Sequence, residues 1–148
     1  MKQFSPPLVR RIEERDFERV AEITNRHFPQ MRMTSSKIAS RLSRGFFYFV
    51  AIVDGTVAGF VDVRLMERKA KVAGMAVDDK FRGRGVGSAL LGKVLEFASE
   101  RGKEKVCLKV RRDNLSALRF YGGHGFILEN ELGEYGETIY TLCRKLET

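Results

Sequence analysis

The chain has 148 residues, 43% hydrophobic and 31% charged, a size and composition that predict one folded domain over residues 1–148 and argue against disorder. Its formal net charge of +8 favours a polyanionic partner, whether a phosphorylated cofactor, an acidic protein or a nucleic acid. No stretch approaches the roughly 18 uninterrupted apolar residues of a membrane span, and the N-terminus lacks the apolar core of a secretion signal, so we expect a cytoplasmic protein.

One short strand and two helices are predicted in the first third of the chain. Apolar residues recur there at helical spacing, first after Asp16, which is a suitable N-cap. The second helix has Thr34 or Ser35 as its candidate N-cap. The predicted elements are a strand at 8–12 and helices at 16–28 and 34–42.

The middle of the chain is predicted to form a β-hairpin, a buried strand and a longer helix. Asp54-Gly55 is the commonest short hairpin signal and joins two apolar, β-prone segments. The run VAGMAV is continuously apolar, as in a strand that is buried on both faces. Beyond the glycine-rich segment RGRGVG, a helix is predicted to end near Gly102. These elements are strands at 46–53, 56–65 and 72–77 and a helix at 85–101.

Three strands and one helix are predicted in the last third. The helix has Asp113 or Asn114 as its candidate N-cap and two glycines at its end. The predicted strands are 105–110, 126–128 and 138–142, and the helix is 114–121. Together the elements indicate one α/β domain, with an antiparallel meander first and a strand–helix–strand unit in the middle.

The two cysteines, Cys107 and Cys143, lie in separate apolar segments, without a CxxC motif or a nearby histidine. We therefore expect buried free thiols and no structural zinc site. Neither cysteine stands in the sequence context of a nucleophile, which argues against a covalent acyl-enzyme.

The segment RGRGVG, residues 82–87, lies between a predicted strand and a predicted helix. A helix N-terminus offers unpaired N–H groups, and glycines let the backbone approach a ligand, so the loop suits a phosphate or pyrophosphate. It does not match the dinucleotide fingerprint, because Ser88 stands where the third glycine is needed. The P-loop spacing of GSALLGK is followed by Val94 instead of a Ser/Thr and falls inside the helix. A glycine-rich turn without a ligand is the structural alternative.

Two motifs carry a resemblance to a known family. The loop resembles the (Q/R)xxGx(G/A) signature of the GNAT superfamily of acetyl-CoA-dependent N-acetyltransferases, and MAVDDKFRG before it resembles the family's IAVxPxxRG. Downstream, NLSALRFYGGHGF is similar to the second motif, NxxAxxFYxxxGF. The style of the motifs is nearest to ribosomal-protein and N-terminal alanine acetyltransferases. The resemblance implies an α/β fold with a mixed, mostly antiparallel sheet of about six or seven strands and about four helices.

The resemblance also implies which residues bind acetyl-CoA. The backbone of 75–77 would pair with the pantetheine arm, the loop N–H groups would hold the pyrophosphate, and Asn114 would contact the thiol end. Tyr121 would protonate the leaving thiolate, since a phenol is a competent donor to a thiolate. Gly74 would mark a β-bulge that separates the two central strands. The implied cofactor-binding residues are Met75, Ala76, Val77, Arg82, Gly83, Arg84, Gly85, Val86, Gly87, Ser88, Asn114 and Tyr121.

The general base is where the sequence departs from the family. Lys71 and Lys109 occupy positions at which relatives often carry glutamate, which leaves Asp62, Glu67 and Glu137 as candidate bases. At pH 7 roughly a tenth of an α-amine is neutral, but only about one part in 2,500 of a lysine amine. A missing base would therefore hinder a lysine acetyltransferase more than an enzyme that acts on α-amines.

The sequence thus predicts an N-acetyltransferase that moves the acetyl group directly from acetyl-CoA to a primary amine, without a metal. The acceptor would be a protein N-terminus or a small-molecule amine, with Tyr135 near its pocket, and a homodimer is compatible with the pattern. A CoA-binding regulatory module without catalysis is the alternative that Lys71 and Lys109 suggest. A basic nucleic-acid-binding domain is disfavoured, because the aromatic residues lie in apolar strand and helix patterns. His27 and His124 are isolated and are not expected to be catalytic.

Overall fold

The computed structural model describes residues 6–147 and has one seven-stranded sheet with the order β1-β2-β3-β4-β5-β7-β6. Neighbouring strands are antiparallel except for β4 and β5, which run parallel. The strands are β1 Leu8–Arg11, β2 Phe46–Val53, β3 Thr56–Leu65, β4 Lys69–Val77, β5 Lys105–Arg111, β6 Ile127–Glu134 and β7 Glu137–Lys145. The mixed, mostly antiparallel α/β fold expected from the sequence is confirmed.

Four helices cover the sheet: α1 Phe17–His27, α2 Ser35–Ser43, α3 Val86–Glu100 and α4 Leu115–Gly123. On one face, α1 and α2 close a core that contains Ile38, Tyr48 and Phe60. On the other face, α3 and α4 close a larger core around Phe49 and Phe97. No helix in the described part of the chain is long and apolar enough to cross a membrane.

The start of α1 differs from the prediction. A short 3-10 turn at Glu14–Asp16 precedes the helix, and the side chain of Asp16 does not cap α1. Its carboxylate instead accepts a hydrogen bond from the Glu13 N–H at 2.8 Å and pairs with Arg10 at 2.7 Å. The Asp16 side chain therefore bonds Arg10 and the Glu13 N–H instead of the first N–H groups of α1. Thr34, in contrast, caps α2 as expected, with its Oγ1 accepting from the Lys37 N–H at 3.1 Å.

The predicted β2–β3 hairpin is confirmed, with positive φ at both Asp54 (51°) and Gly55 (76°) as a tight primed turn requires. The strands at the other end of the chain are longer than predicted. They form one hairpin, β6–β7, that turns at Tyr135-Gly136. Its segment ELGEYGE has a composition typical of a loop, and pairing with β7 draws most of it into the sheet.

The sheet opens between β4 and β5. These strands pair only over Lys69–Lys71 and Lys105–Cys107 and then diverge. The β3–β4 register shifts between Asp62 and Val63, so that Ala73 is an extra residue in β4 beside Gly74. The bulge expected near Gly74 is therefore present. The strand is not buried on both faces as predicted, because it borders this opening.

Cys107 and Cys143 form a disulfide, so the prediction of free thiols is wrong. The β5–β7 register sets the two cysteines directly opposite each other, a long-range pairing that no local sequence pattern signals. The Glu129 carboxylate lies within 4.8 Å of the sulfurs, but the disulfide leaves no thiolate there to bind a metal. Disulfides are rare in most cytosolic proteins, those of hyperthermophiles excepted, so the cytoplasmic location stays a prediction.

Reduction of the disulfide should lower the free energy of unfolding by up to about 4 kcal/mol, because the bond closes a loop of 36 residues. Urea unfolding with and without a reductant measures this change, and the Cys143→Ser variant, which lacks the bond, should not respond to the reductant. An unchanged wild-type midpoint, with two thiols released by titration, would show that the bond does not stabilise the fold.

Candidate active site

A cleft of about 300 Å³ opens where β4 and β5 diverge. Beyond Lys71 and Cys107 no ladder bonds join the two strands, so backbone N–H and C=O groups of β4 face the cleft and can pair with an extended ligand. Tyr121 and Asn114 line it from α4 and its N-cap. The lining is completed by Phe28, Val72, Ala73, Gly74, Met75, Leu108, Lys109, Val110, Arg111 and Ala117.

A second concavity lies at the N-terminus of α3, against the end of β4. Gly83 and Gly85 have φ of 74° and 76°, and a Cβ at either position would meet no atom within 4 Å. The first bond of the helix joins the Ala89 N–H to the Gly85 carbonyl, which leaves the three preceding N–H groups pointing out of the helix. This backbone arrangement suits an anion. The concavity is lined by Val77, Phe81, Arg82, Gly83, Gly85, Val86, Gly87, Ser88 and Phe120.

The arginines of the loop are paired with carboxylates. Arg84 is 15% exposed and pairs at 3.3 Å with Asp54 in the β2–β3 turn, which anchors the loop to the sheet. Arg82 pairs with Asp79 at 3.0 Å. The N-terminal N–H groups and the dipole of α3 therefore face the concavity together with the exposed side chain of Arg82.

Tyr121 lies between the rings of Phe120 and Phe126, with centroids 5.2 and 5.8 Å away. Burial raises the pKa of Tyr121 to about 12, so the hydroxyl is protonated at neutral pH and is a hydrogen-bond donor in the cleft. Asn114 caps α4, with its Oδ1 accepting from the Ala117 N–H at 3.2 Å, and this fixes the side chain beside the cleft.

These features can be compared with known proteins. The model of the acetyltransferase (GNAT) family matches residues 9–126. The chain belongs to that family. The L-amino acid N-acetyltransferase AaaT of Escherichia coli is 29% identical over 155 residues, which cover 90% of this chain and 94% of that protein. An uncharacterized N-acetyltransferase of Methanocaldococcus jannaschii is 38% identical over 86 residues, but the match spans only 38% of its length.

Solved GNAT structures share the fold. Ard1 from Thermoplasma volcanium superposes with a TM-score of 0.84 at 30% identity, covering 97% of this chain and 100% of that one. The ribosomal-protein-S18-alanine N-acetyltransferase of E. coli has a TM-score of 0.84 at 21% identity, covering 96% and 95%. The PaiA N-acetyltransferase of Thermoplasma acidophilum, solved in complex with coenzyme A, has a TM-score of 0.80 at 17% identity, covering 95% and 99%. At these last two identities the likeness shows the fold alone.

His124, which sequence reasoning treated as isolated, contacts the start of α3. Its Nε2 lies 3.1 Å from the Ser88 Oγ, and its ring packs on Phe120 at 4.8 Å. The signal in the sequence was its position three residues after Tyr121, just past the end of α4. The lack of a side chain at Gly87 leaves room for the Phe120 ring, because a Cβ there would lie 3.2 Å from that ring.

A pocket on the α1/α2 face adjoins the cleft and shares Phe28, Ala73 and Gly74 with it. Its walls are mostly apolar, and its polar groups come from β2, β3 and α2. The remaining lining residues are Thr24, Gln30, Met31, Met33, Arg41, Tyr48, Phe60 and Asp62. The bulge in β4 thus borders both spaces.

A buried ion pair forms the polar wall of this pocket. Asp62, 3% exposed, pairs with Arg41, whose Nε donates to the Tyr48 hydroxyl at 2.8 Å. Burial raises the pKa of Asp62 against the opposing effect of Arg41, and burial followed by the Asp62 charge raises the pKa of Tyr48 to about 12. A Cβ on Gly74 would lie 2.8 Å from the Asp62 Oδ1, so the carboxylate occupies the space of a side chain at the bulge.

The other residues singled out in the sequence lie outside this pocket. Glu67 is in the β3–β4 turn, and Glu137 pairs with Arg111 at 3.0 Å. Tyr135 is fully exposed at the tip of the β6–β7 hairpin. His27 lies 3.8 Å from Asp79, at the end of α1.

Replacing Arg41 should destabilise the fold, because it leaves the Asp62 carboxylate buried without its cation. We expect Arg41→Met to lower the free energy of unfolding by about 3 kcal/mol. The exposed Arg44, at the end of α2, is the matched control, and Arg44→Met should change stability by less than about 0.5 kcal/mol. Urea unfolding measures both changes.

The double variant Arg41→Met with Asp62→Asn identifies the cause of that loss. Because the second change removes the orphaned charge, the double variant should be more stable than the sum of the two single variants predicts. Simple additivity would mean that the ion pair does not couple the two side chains.

Proposed function

We propose that this chain is an acetyl-CoA-dependent N-acetyltransferase that passes the acetyl group to a primary amine by direct attack in a ternary complex. One observation carries the proposal: the end of β4 adjoins a helix start whose N–H groups suit an anion, while its bulge borders both the cleft and the pocket on the α1/α2 face. A phosphorylated donor and a separate acceptor can therefore meet along one strand.

The donor would lie along β4. The backbone of Met75–Val77 would pair with the amide groups of pantetheine as an added strand does. The N–H groups of Val86, Gly87 and Ser88 would bind the pyrophosphate, with His124 beside them. The fold shared with a coenzyme A complex supports this assignment.

In the proposed reaction a neutral amine attacks the thioester carbon, the C–N bond forms and the C–S bond breaks. A backbone N–H near Val77 would stabilise the oxyanion. The thiolate receives a proton and leaves as CoA-SH, and the amine loses one proton. Among the three candidate carboxylates, the pocket geometry favours Asp62 as the acceptor of that proton, because it borders the bulge at Gly74.

The buried environment of Tyr121 sharpens its proposed role. A phenol with a pKa of about 12 is a weaker acid than a thiol with a pKa of about 8.5. Full proton transfer to the thiolate would therefore be uphill by roughly 5 kcal/mol if Tyr121 acted alone. Tyr121 would instead stabilise the thiolate by donating a hydrogen bond. The proton that the amine releases would balance the proton that the thiolate finally takes up.

We propose an α-amine as the acceptor. AaaT is named for L-amino acids, and the E. coli structural neighbour for a ribosomal-protein alanine. An α-amine is sufficiently neutral near pH 7 to react with little help from a base.

The function is tested by thiol release from acetyl-CoA with a panel of peptide N-termini, free amino acids and lysine side-chain amines. We expect turnover of α-amines and little turnover of lysine side chains, since only about one lysine amine in 2,500 is neutral at pH 7. Binding of acetyl-CoA without turnover of any acceptor would favour the CoA-binding regulatory module instead.

Two glycines at opposite ends of α3 test the pyrophosphate assignment. Gly85 and Gly102 have φ of 76° and 72° and open space at Cβ, so a leucine strains both positions alike, but only Gly85 borders the concavity. We expect Gly85→Leu to raise the Kd for acetyl-CoA at least about tenfold, because the side chain would stand between ligand and N–H groups. Gly102→Leu should keep the wild-type Kd in calorimetry, and equal affinities would refute the assignment.

Tyr121→Phe should lower kcat by about 10²-fold and leave acetyl-CoA affinity nearly unchanged, because only the donor hydroxyl is lost.

The pH dependence of the wild-type reaction also tests Tyr121. A phenol stays protonated at every pH below its pKa, so a raised pKa keeps the hydroxyl a donor at higher pH. Hence wild-type kcat/KM should rise as the amine deprotonates and show no descending limb up to pH 10. Tyr140→Phe, on β7, is the matched control. A descending limb near pH 10 that disappears in Tyr121→Phe would mean that Tyr121 titrates normally.

A further inference from the structure

Three cations lie on adjoining strands beside the cleft, on the face that α1 and α2 also cover. Arg64 on β3 is directly opposite Lys71 on β4, and Lys71 pairs in register with Cys107 on β5. Lys109 is two residues beyond Cys107 on the same face, since Leu108 and Val110 point into the other core. Directly opposite side chains have Cβ atoms about 5 Å apart, so Arg64 and Lys71 adjoin each other, and Lys109 lies further along the same face.

The carboxylates that the structure describes on this face are already engaged with other cations. Asp62 pairs with Arg41, Glu129 with Lys105, and Glu137 with Arg111. The charge of the exposed Arg64 and Lys109 is therefore in excess at this face, and Lys109 lines the cleft itself. The mouth of the cleft is positively charged.

The phosphates of the donor do not account for these cations. Under the proposed function they bind at the start of α3, and the residues that line that concavity include none of those that line the cleft. Lys109 is beside Tyr121 and Gly74, where the uncharged thioester end would lie. The positive charge therefore faces the acceptor.

Because α3 and α4 close the other face, an acceptor reaches Gly74 from the α1/α2 side and passes this charge. An approaching ammonium group is repelled there unless the same molecule carries negative charge. We propose, on the basis of the function proposed above, that the acceptor is an α-amine with an additional carboxylate within a few bonds: an acidic residue at a peptide N-terminus, or a free acidic amino acid. Arg64 and Lys109 are the residues that set this preference.

Isosteric acceptors test the charge alone. We would compare kcat/KM for peptide amides that begin with Glu, Gln or Lys, and for free glutamate and glutamine. Wild-type protein should prefer Glu over Gln by at least about fivefold at low salt, the size expected of a partly screened charge pair, and the ratio should fall towards one in about 1 M NaCl. The series that shows the larger ratio identifies the source, peptide or free amino acid.

The variant Arg64→Gln/Lys109→Gln should reduce the Glu/Gln ratio to less than about two. Lys103→Gln removes one positive charge from the turn after α3 and should keep the wild-type ratio. Thermal unfolding confirms that each variant is folded. A wild-type ratio at or below one, or one that the double variant keeps, overturns the proposal. Absence of turnover with every acceptor would refute the function on which it rests.

Discussion

The early end of the β4–β5 ladder is the constraint on which the rest of the site depends. Three residue pairs hold the two strands together, and then the sheet opens. Unpaired strand edges are normally an aggregation hazard, which proteins cover or charge. Here α4 and the end of α1 close the opening, so the exposed backbone lies inside a cleft of ligand size.

The bulge in β4 and the buried Asp62–Arg41 ion pair depend on each other. Ala73 is the extra residue, Gly74 is the position without a side chain, and the Asp62 carboxylate fills the space that a Cβ would need. Asp62 can be buried there because Arg41 pairs with it and Tyr48 holds the guanidinium in turn. A polar network thus supports a distortion of the sheet at the point where the cleft meets the pocket on the α1/α2 face.

Much of this arrangement could be predicted from the sequence, because local chemistry determines it. The Asp54-Gly55 turn, the Thr34 cap and the glycine loop before α3 follow from conformational needs of a few neighbouring residues. The Cys107–Cys143 bond and the Arg41–Asp62 pair could not, since each joins strands or helices whose register only the folded sheet defines. Asp16 also departs from the prediction, because its carboxylate bonds Arg10 and the Glu13 N–H instead of the first N–H groups of α1.

The charged side chains are arranged differently at the two ends of β4, which composition alone could not reveal. At the start of α3 the arginines are held by carboxylates, and the N–H groups are left for the ligand. At the mouth of the cleft the carboxylates are engaged, and the exposed cations of Arg64 and Lys109 remain. The net charge of +8 is thus paired with carboxylates at one end of β4 and exposed as Arg64 and Lys109 at the other. Under the proposed function, a backbone site would accept any phosphate whereas side-chain charge would select among acceptors, so selectivity for the acceptor would lie on the β3–β5 face.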